Sequence, residues 1–434
     1  MDKDLPILIL EPELTEKRDS SARKLLEGGQ KTAHTPETVS IDDTKRQIRT
    51  VREYARNNLD LFVAKLKTNL KQKYPHVKVK SARDNTEAIE YISGISDGLN
   101  FVSINNSGIV AQELRPELTA AGFTVVNSYL NEFDARERSI LDYWDLPRLS
   151  DRNLVGTFKV SIKTAGLDPA RDTKKYLAVL GVNAISAEDG TVFFLEHFSN
   201  IHNDLRQAEK VILAVGLDKI VRDRQDATFQ TKCMGIFGME SALLGIGPKS
   251  GETLSLYELG LPPSDRTREL HVIILDNGRS NLLQGKYEDL FLCIGCRACN
   301  QHCPIQHSFT NVDYIWTPRN YLNQFLYGRS HSIDVCLHCE ACRLECPLDI
   351  DLPHLMWQLK MDYVYKRGPS FYHRILGRPE LLARLGTPFA PLANRLMGNG
   401  LIRGFMEIIT GIDRKSTLPK FHYQTFRKWF RQNA

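Results

Sequence analysis

Long hydrophobic runs are absent from the sequence. Apolar stretches such as Ile7–Leu10 and Val211–Val215 are far shorter than the roughly 20 residues of a membrane-spanning helix, which excludes a multi-span membrane protein. The first four residues have mixed charge, and the apolar stretch behind them ends at Glu11. We therefore expect no secretory signal and a cytoplasmic protein.

An excess of one charge is also absent. The 434 residues have a net charge of +5, which is too small to argue for nucleic-acid binding by itself. Hydrophobic residues make up 42% of the chain and charged residues 25%, which is typical of a soluble globular protein. The glycines of 245–251 lack the strand and helix context of a dinucleotide fingerprint, so we expect neither flavin nor NAD in this chain.

Cysteine is scarce except in one region. Eight of the nine cysteines lie between Cys293 and Cys346, and only Cys233 lies outside it. A secreted disulfide framework would distribute its cysteines over a short chain. The clustering therefore predicts metal ligation in a reducing cytoplasm.

The eight cysteines form two identical motifs, each C-x2-C-x2-C-x3-C-P. In two-cluster ferredoxins, three thiolates of such a run bind one cubane and the fourth binds the other. We therefore predict two 4Fe–4S clusters. One is held by Cys293, Cys296, Cys299 and Cys346, and the other by Cys336, Cys339, Cys342 and Cys303. Structural zinc is the alternative, but zinc sites do not explain two quartets each followed by proline.

The hydrophobic pattern predicts five segments. Apolar residues recur every three or four positions from Asp42 to Tyr74, which predicts one long amphipathic helix with Lys and Arg on its outer face. Short apolar strands then alternate with helices, which favours a mostly parallel sheet. The predicted order is a flexible arm (1–40), the amphipathic helix (41–79), an α/β domain (80–285), the two-cluster domain (286–366) and a helical basic extension (367–434).

The segment before the first motif carries a family resemblance. It reads Asp276-Asn-Gly-Arg-Ser280 and runs into Asp289-Leu-Phe-Leu-Cys293, which resembles the iron–sulfur protein of the lactate-utilisation system. In that family a lactate-utilisation (LUD) domain precedes a ferredoxin module. The resemblance implies an α/β domain like those of sugar isomerases and CoA transferases, followed by an α-helical bis-4Fe–4S domain and, here, a helical extension.

The C-terminal part resembles a different kind of protein. Pro388-Phe-Ala-Pro391 and the segment from Gly411 to Phe430 are similar to linker segments of the C subunit of anaerobic glycerol-3-phosphate dehydrogenase. In such proteins a cysteine-rich CCG domain follows. The chain ends at Ala434 without one, so we expect a partner protein to supply it.

Together the motifs and resemblances imply an electron-transfer subunit without a catalytic residue of its own. A partner FAD-dependent dehydrogenase would oxidise a lactate-like 2-hydroxy acid, and the electrons would pass to a CCG-type subunit, a quinone or another carrier. As an alternative, the LUD-like domain is an acyl- or CoA-handling enzyme with Glu188 as nucleophile. A redox-sensing or assembly role without turnover is a third hypothesis.

Several other residues have a chemical and a structural interpretation. Glu196, His197 and His202 would bind a metal or remain simply hydrogen-bonded. Cys233 is either a reactive thiol or a buried apolar residue. The Asp276–Arg279 turn either binds an anion or joins the two domains. The basic aromatic tail from Arg414 would dock to a redox partner, contact the cytoplasmic membrane surface or touch nucleic acid, of which we expect the first and not the last.

Overall fold

The computed structural model describes residues 4–10, 37–128, 175–195, 200–240, 253–256, 259–260, 269–300, 303–305, 318–326, 336–369 and 371–433. The chain divides into two compact units, Met1–Met356 and Trp357–Ala434. Among the described residues, no helix is both long enough and apolar enough to span a bilayer.

The described strands all belong to the first unit. They are β1 (Ile7–Leu10), β2 (Glu37–Ser40), β3 (Lys78–Ala82), β4 (Phe101–Ile104), β5 (Thr124–Asn127), β6 (Leu177–Gly181), β7 (Ala184–Ser186), β8 (Val192–Leu195), β9 (Lys210–Gly216), β10 (Ile220–Val221), β11 (Thr253–Leu256), β12 (Leu259–Gly260) and β13 (Glu269–Leu275).

The helices continue into the second unit. They are α1 (Ile41–Asn57), α2 (Leu59–Lys73), α3 (Asn85–Gly94), α4 (Arg115–Ala120), α5 (Asn200–Gln207), α6 (Arg224–Met234), α7 (Pro318–Leu326), α8 (Ala341–Leu344), α9 (Leu352–Arg367), α10 (Phe371–Leu376), α11 (Pro379–Gly386), α12 (Ala390–Met397), α13 (Gly400–Thr410) and α14 (Phe426–Asn433). Two π-helical segments, Ile109–Leu114 and Gly235–Glu240, adjoin α4 and α6.

A six-stranded parallel sheet forms the centre of the first unit, in the order β3-β13-β9-β6-β4-β5. Its inner strands consist almost entirely of buried residues because helices cover the sheet. The carboxyl ends of these parallel strands lie at one edge of the sheet, and the loops after β9 and β13 lead from that edge toward the cysteine motifs. The sequence prediction of a mostly parallel α/β fold is confirmed at this level.

A second sheet contains a strand that the sequence analysis missed. Its order is β10-β7-β8-β1-β12, with β1 parallel to β8 and antiparallel to β12. The prediction of a flexible arm over 1–40 is therefore wrong for Ile7–Leu10, and also for Glu37–Ser40, because β2 pairs antiparallel with β11. Four apolar residues within a polar segment give no local period. Only pairing with β8 and β12, which are distant in sequence, makes them a strand.

The predicted long helix over Asp42–Tyr74 is two helices. α1 ends and α2 begins at Asn58, whose side-chain amide donates to the carbonyl oxygen of Tyr54 at 2.9 Å. Asparagine side chains compete in this way with the helical hydrogen bonds. The apolar period continues across the break and hides it. One basic residue, Arg52, is also fully buried rather than on the outer face.

His271 on β13 gives the first unit a pH-sensitive position. The side chain is fully buried, with Nδ1 2.9 Å from the Tyr91 hydroxyl and Nε2 3.2 Å from Glu269 Oε1. Lys210 and Lys78 pair with Glu269. Burial lowers the pKa of His271 below its ordinary value, although Glu269 opposes this shift. The folded state therefore holds His271 neutral where the unfolded chain would protonate it.

We predict that acidification below about pH 6.5 destabilises the fold through this residue, because the unfolded state then binds the extra proton. Between pH 7.5 and 5.5 the free energy of unfolding should fall by up to about 1.4 kcal/mol from His271 alone. His271→Gln should lack this part of the dependence. Denaturant titrations of both proteins at the two pH values provide the measurement, and parallel losses in both would contradict the assignment.

Candidate iron–sulfur centre

The two cysteine motifs form two short loops. Cys293, Cys296 and Cys299 lie between the 3-10 turns Glu288–Leu292 and Ala298–Asn300, and Cys303 follows. In the second motif, Cys336 and Cys339 precede the short helix α8, Cys342 lies on it and Cys346 follows it. All eight cysteines are described, and none of them is in a disulfide.

The loops share an unusual backbone conformation. Positions two and four residues after the first cysteine have positive φ in both motifs: Gly295 (84°) and Arg297 (68°), then His338 (52°) and Glu340 (66°). A left-handed conformation costs a non-glycine residue roughly 1 kcal/mol or more. Three such residues at matching positions indicate that both loops wrap around something of the same shape.

The fourth cysteine of the second motif lies with the first loop. Burial raises the pKa of both Cys296 and Cys299, and the neighbouring Cys293 and Cys346 thiols raise it further. Burial likewise raises the pKa of Cys346 to about 11, with Cys293 contributing in the same direction. Cys293 and Cys346 are therefore near enough to Cys296 and Cys299 to act on them electrostatically, which groups these four cysteines.

Cys303 lies with the second loop in the same way. Burial raises the pKa of Cys342 to about 12, and the Cys336, Cys303 and Cys339 thiols raise it further. These four cysteines also line one cavity of about 380 Å³, part of it open to solvent. Its other lining residues are Pro304, Ile305, Pro318, Leu337, Glu340 and Met356.

The chemistry of these two donor sets fits iron–sulfur clusters. Thiolates are the usual cluster ligands, and a bound cation ionises a coordinating thiol despite burial. Within the described segments, no three His, Cys, Asp or Glu side chains are gathered closely enough to surround a single metal ion. A cubane does not require such convergence, because each of its thiolates binds a different iron atom.

The first loop is held from several sides by the α/β part. Lys219, just after β9, donates to the carbonyl oxygen of Ile294 at 2.7 Å. Arg297 donates to the carbonyl oxygen of Asn106, at the end of β4. Gly238 approaches so closely that a Cβ there would collide with the carbonyl oxygen of Cys296. These contacts fix the loop and place positive charge beside its thiols.

Arg52 supports the segment that leads into the first loop. Its guanidinium is fully buried and donates to the carbonyl oxygens of Phe291 (2.8 Å) and Leu292 (3.1 Å) and to Gln230 Oε1 (3.1 Å). The residue therefore connects α1 and α6 to the residues immediately before Cys293. Burial lowers the pKa of Arg52, while Asp218 and Cys293 oppose this shift.

The Asp276–Arg279 turn joins β13 to this centre. Arg279 pairs with both carboxylate oxygens of Glu113, at 2.7 and 3.0 Å, and with Asp218 at 2.5 Å. Asn277 donates to the same Glu113 at 2.6 Å. Lys219 and Arg279 also hold the pKa of Asp218 below its usual range, against the effect of burial. Of the two interpretations of this turn, the structure favours the joint.

The other candidate residues lie apart from this centre or outside the described residues. Glu188 lies on an exposed turn, with its carboxylate 3.7 Å from Lys65 and 60% of its side chain exposed. Cys233 is fully buried, and burial raises its pKa well above the ordinary value. Glu196 and His197 lie outside the described residues, as does the side chain of His202.

Arg52, Glu113 and Lys219 were missed by the sequence analysis. Arg52 is one of several Lys and Arg residues on α1, and the sequence pattern gives no sign that this one is buried. Glu113 lies within an apolar helical stretch, where a buried acid requires a partner. Lys219 lies three residues after the buried parallel strand β9, and that position alone could have marked it as a residue at the functional edge of the sheet.

Comparison with known proteins agrees with this geometry. Residues 288–350 match the family model of the 4Fe-4S dicluster domain. The chain therefore carries a 4Fe–4S domain. It is 25% identical over 281 residues to lactate utilization protein B 1 of Bacillus mycoides (strain KBAB4), covering 59% of this chain and 56% of the relative. Lactate utilization protein B of Geobacillus kaustophilus (strain HTA426) matches with the same identity and coverage over 279 residues.

A shorter similarity concerns the second predicted relative. Over 86 residues, or 20% of this chain and 22% of the relative, the chain is 30% identical to the C subunit of anaerobic glycerol-3-phosphate dehydrogenase from Escherichia coli (strain K12). These matches confirm the resemblances inferred from the sequence. The chain spans about half the length of the lactate utilization proteins that it matches.

One solved structure is also similar. It is a duf162 family protein from Deinococcus radiodurans, 12% identical, with a TM-score of 0.27 and coverage of 50% of this chain and 98% of that chain. Similarity at this level supports no conclusion about the fold.

We predict that Arg52→Met lowers the free energy of unfolding by about 3 kcal/mol, because two carbonyl groups beside Cys293 lose their buried donor. Arg46→Met is the matched control: this arginine lies on the same helix, and 73% of its side chain is exposed. The control should change stability by less than about 0.5 kcal/mol. Denaturant unfolding of both variants in the same cluster-loaded state tests this. Equal stability of the two variants would contradict the role of Arg52.

Proposed function

We propose that this chain is an electron-transfer iron–sulfur subunit of a multi-subunit oxidoreductase. One observation supports the proposal: Cys303 lines one cavity with Cys336, Cys339 and Cys342, while Cys346 is near enough to Cys296 and Cys299 to raise their pKa values. That arrangement suits a pair of clusters held close together. The dicluster match over 288–350 supports it independently.

The proposed ligands are those expected from the spacing, within a cluster domain spanning 286–366. One cluster takes Cys293, Cys296, Cys299 and Cys346, and the other takes Cys336, Cys339, Cys342 and Cys303. When bound, each cubane supplies a site that gains or loses one electron. The protein holds the thiols at the required spacing, excludes water with buried residues such as Ile294 and sets the local charge.

The partners that we propose are chosen from the names of the relatives. One relative is named for lactate utilization, and the other is named as the C subunit of an anaerobic glycerol-3-phosphate dehydrogenase. We propose that a partner FAD-dependent dehydrogenase oxidises a lactate-like 2-hydroxy acid and that a CCG-type subunit, a quinone or another carrier takes the electrons. The flavin would perform the organic chemistry. Cysteine ligands kept out of disulfides would suit a reducing cytoplasm.

The α/β part would then be a scaffold. Its parallel six-stranded sheet supports a LUD-type fold like that of sugar isomerases and CoA transferases. The hypothesis of Glu188 as a nucleophile gains no support, because a carboxylate that attacks an acyl group needs a protected site, whereas this side chain is 60% exposed beside Lys65. We therefore assign this domain the positioning of the cluster loops.

The second unit offers a surface for partner subunits. On α14, Phe426 (74% exposed), Trp429 (49%) and Phe430 (54%) have large exposed areas beside basic residues. Aromatic and Arg residues are enriched at interface hot spots. We propose that this aromatic surface of α14 docks to a partner subunit rather than to nucleic acid. The basic surroundings would also permit contact with an anionic membrane face.

We predict about eight iron and eight sulfide per reconstituted chain, because two cubanes require this number. Cys303→Ser should disturb the cluster held by Cys336, Cys339 and Cys342 and leave the cluster near Cys293 intact. Iron analysis and EPR spectroscopy of the reduced variant provide the measurement. A content near four iron, or tightly bound zinc, would refute the two-cluster assignment. Loss of the signal from the cluster near Cys293 would refute the exchange of fourth ligands.

For α14 we predict that replacing Phe426, Trp429 and Phe430 together by Ser weakens binding to the partner subunits at least about 30-fold, since one interface hot spot contributes about 2 kcal/mol. Tyr365→Ser, at a position 93% exposed, is the control for loss of an exposed aromatic group. Both variants should keep their full iron content. Size-exclusion chromatography of each variant co-expressed with the partner subunits provides the measurement. If the triple variant co-elutes with them as the wild type does, the aromatic surface of α14 is not the docking site.

Substitution is preferable to deletion of the tail from Arg414. Arg403 donates to the carbonyl oxygens of Asp413 (3.0 Å), Arg414 (3.1 Å) and Ser416 (2.5 Å). Asn394 also makes two hydrogen bonds to the backbone of Phe421. A deletion would therefore disturb the second unit itself as well as any docking surface.

A further inference from the structure

The two cysteine loops differ sharply in how the protein covers them. Ile294 and Leu337 occupy the same motif position, immediately after the first cysteine. Ile294 is fully buried, whereas Leu337 is 65% exposed. Leu344, two residues after Cys342, is 76% exposed, and Cys339 is exposed as well. Aliphatic groups at the same position in two equivalent loops thus meet protein in one case and solvent in the other.

The cover over the first loop comes from the α/β part. Lys219, Arg297 and Gly238 make the contacts already described, and Ala298 is 2% exposed. A protein partner would have to displace these contacts to approach the first loop from that side. The second loop, by contrast, presents Leu337, Cys339 and Leu344 directly.

Acidic residues surround the exposed apolar groups. The segment 336–351 contains four acids and one base, Arg343. Arg343 lies 3.1 Å from Asp351, 3.7 Å from Glu340 and 3.8 Å from Asp349. Glu340 and Asp349 keep 58% and 76% of their side chains exposed. One arginine cannot neutralise Glu340, Asp349 and Asp351 together, so this surface keeps an excess of negative charge.

We propose that the chain exchanges electrons with a partner protein through the second cluster, across the surface formed by Leu337, Cys339, Glu340, Leu344 and Asp349. This surface, which we call the Cys339 face, fits a partner with basic residues around an apolar centre. An apolar centre with a charged rim is the usual composition of a protein interface, and opposite charges accelerate encounter. The proposal rests on the proposed function, since it requires both clusters to be present.

Two inert paramagnetic complexes of opposite charge test the Cys339 face. Tris(ethylenediamine)chromium(III) is a cation and tris(oxalato)chromate(III) is an anion, and either one speeds the EPR relaxation of a cluster that it can approach. The signal of the second cluster is identified as the one altered by Cys339→Ser. In the reduced full-length protein at low salt, the cation should increase the relaxation rate of this signal several-fold more than the anion does. Neither complex should change the relaxation rate of the first cluster.

The variants reverse the charge of the face. Glu340→Lys combined with Asp349→Lys should invert the preference for the cation, and oxidation of the reduced protein by hexaammineruthenium(III) should slow about tenfold, the lower end of electrostatic steering. Asp60→Lys combined with Glu90→Lys makes the same charge change at two exposed positions on α2 and α3. This control should keep both the preference and the rate.

Iron content is measured first in every variant and separates the possible failures. About eight iron per chain with equal relaxation of both clusters, or stronger relaxation of the first, would overturn the Cys339 face and leave the proposed function standing. If the variant Glu340→Lys with Asp349→Lys kept the wild-type preference for the cation, the Cys339 face would also be overturned. A content near four iron in the wild type would overturn the proposed function and this proposal with it.

Discussion

A guanidinium withdrawn from water needs acceptors for its N–H groups, and the way in which Arg279 obtains them from two carboxylates organises the first unit. Glu113 and Asp218 meet the requirement, and each comes from a different part of the sheet. Glu113 lies in the π-helical segment after β4, and Asp218 follows β9. The pairing therefore fixes three strand ends relative to one another, and the chain leaves this junction directly toward Cys293. Removing one partner of a buried ion pair costs about 3–5 kcal/mol. The pairing therefore holds in place the start of the segment that leads to the first cysteine loop.

The chemistry of the centre could be predicted from the sequence, whereas its support could not. Cysteine spacing is local, and a C-x2-C-x2-C-x3-C-P run has few uses besides cluster binding. Arg52 and Lys219 support the same loop through hydrogen bonds between residues far apart in sequence. Such contacts produce no repeating pattern in the sequence from which they could be predicted. The strands of the parallel sheet were predictable because each is a short apolar run between polar residues, but β1 depends on distant partners such as Val192, which lies 185 residues after Ile7.

The two loops show how a repeated motif acquires different surroundings. Both place matching residues in the left-handed region, so the cysteines themselves require the same local backbone. The difference lies in what packs outside the loop. The α/β part covers Ile294, while Leu337 faces solvent. Sequence alone treats both as apolar spacers between ligands, because burial is decided by neighbours that the motif does not contain.

Strand β1 has a practical consequence for work with this protein. The first 36 residues resemble a dispensable leader by composition, which invites their removal to obtain a shorter chain. Ile7–Leu10 nevertheless fills the gap between β8 and β12. Its loss would leave the backbone N–H and C=O groups of Val192–Leu195 unpaired on one side, and such an open edge recruits strands from other molecules. Shortened chains would then self-associate through β8, and their aggregation would be mistaken for instability of the iron–sulfur domain.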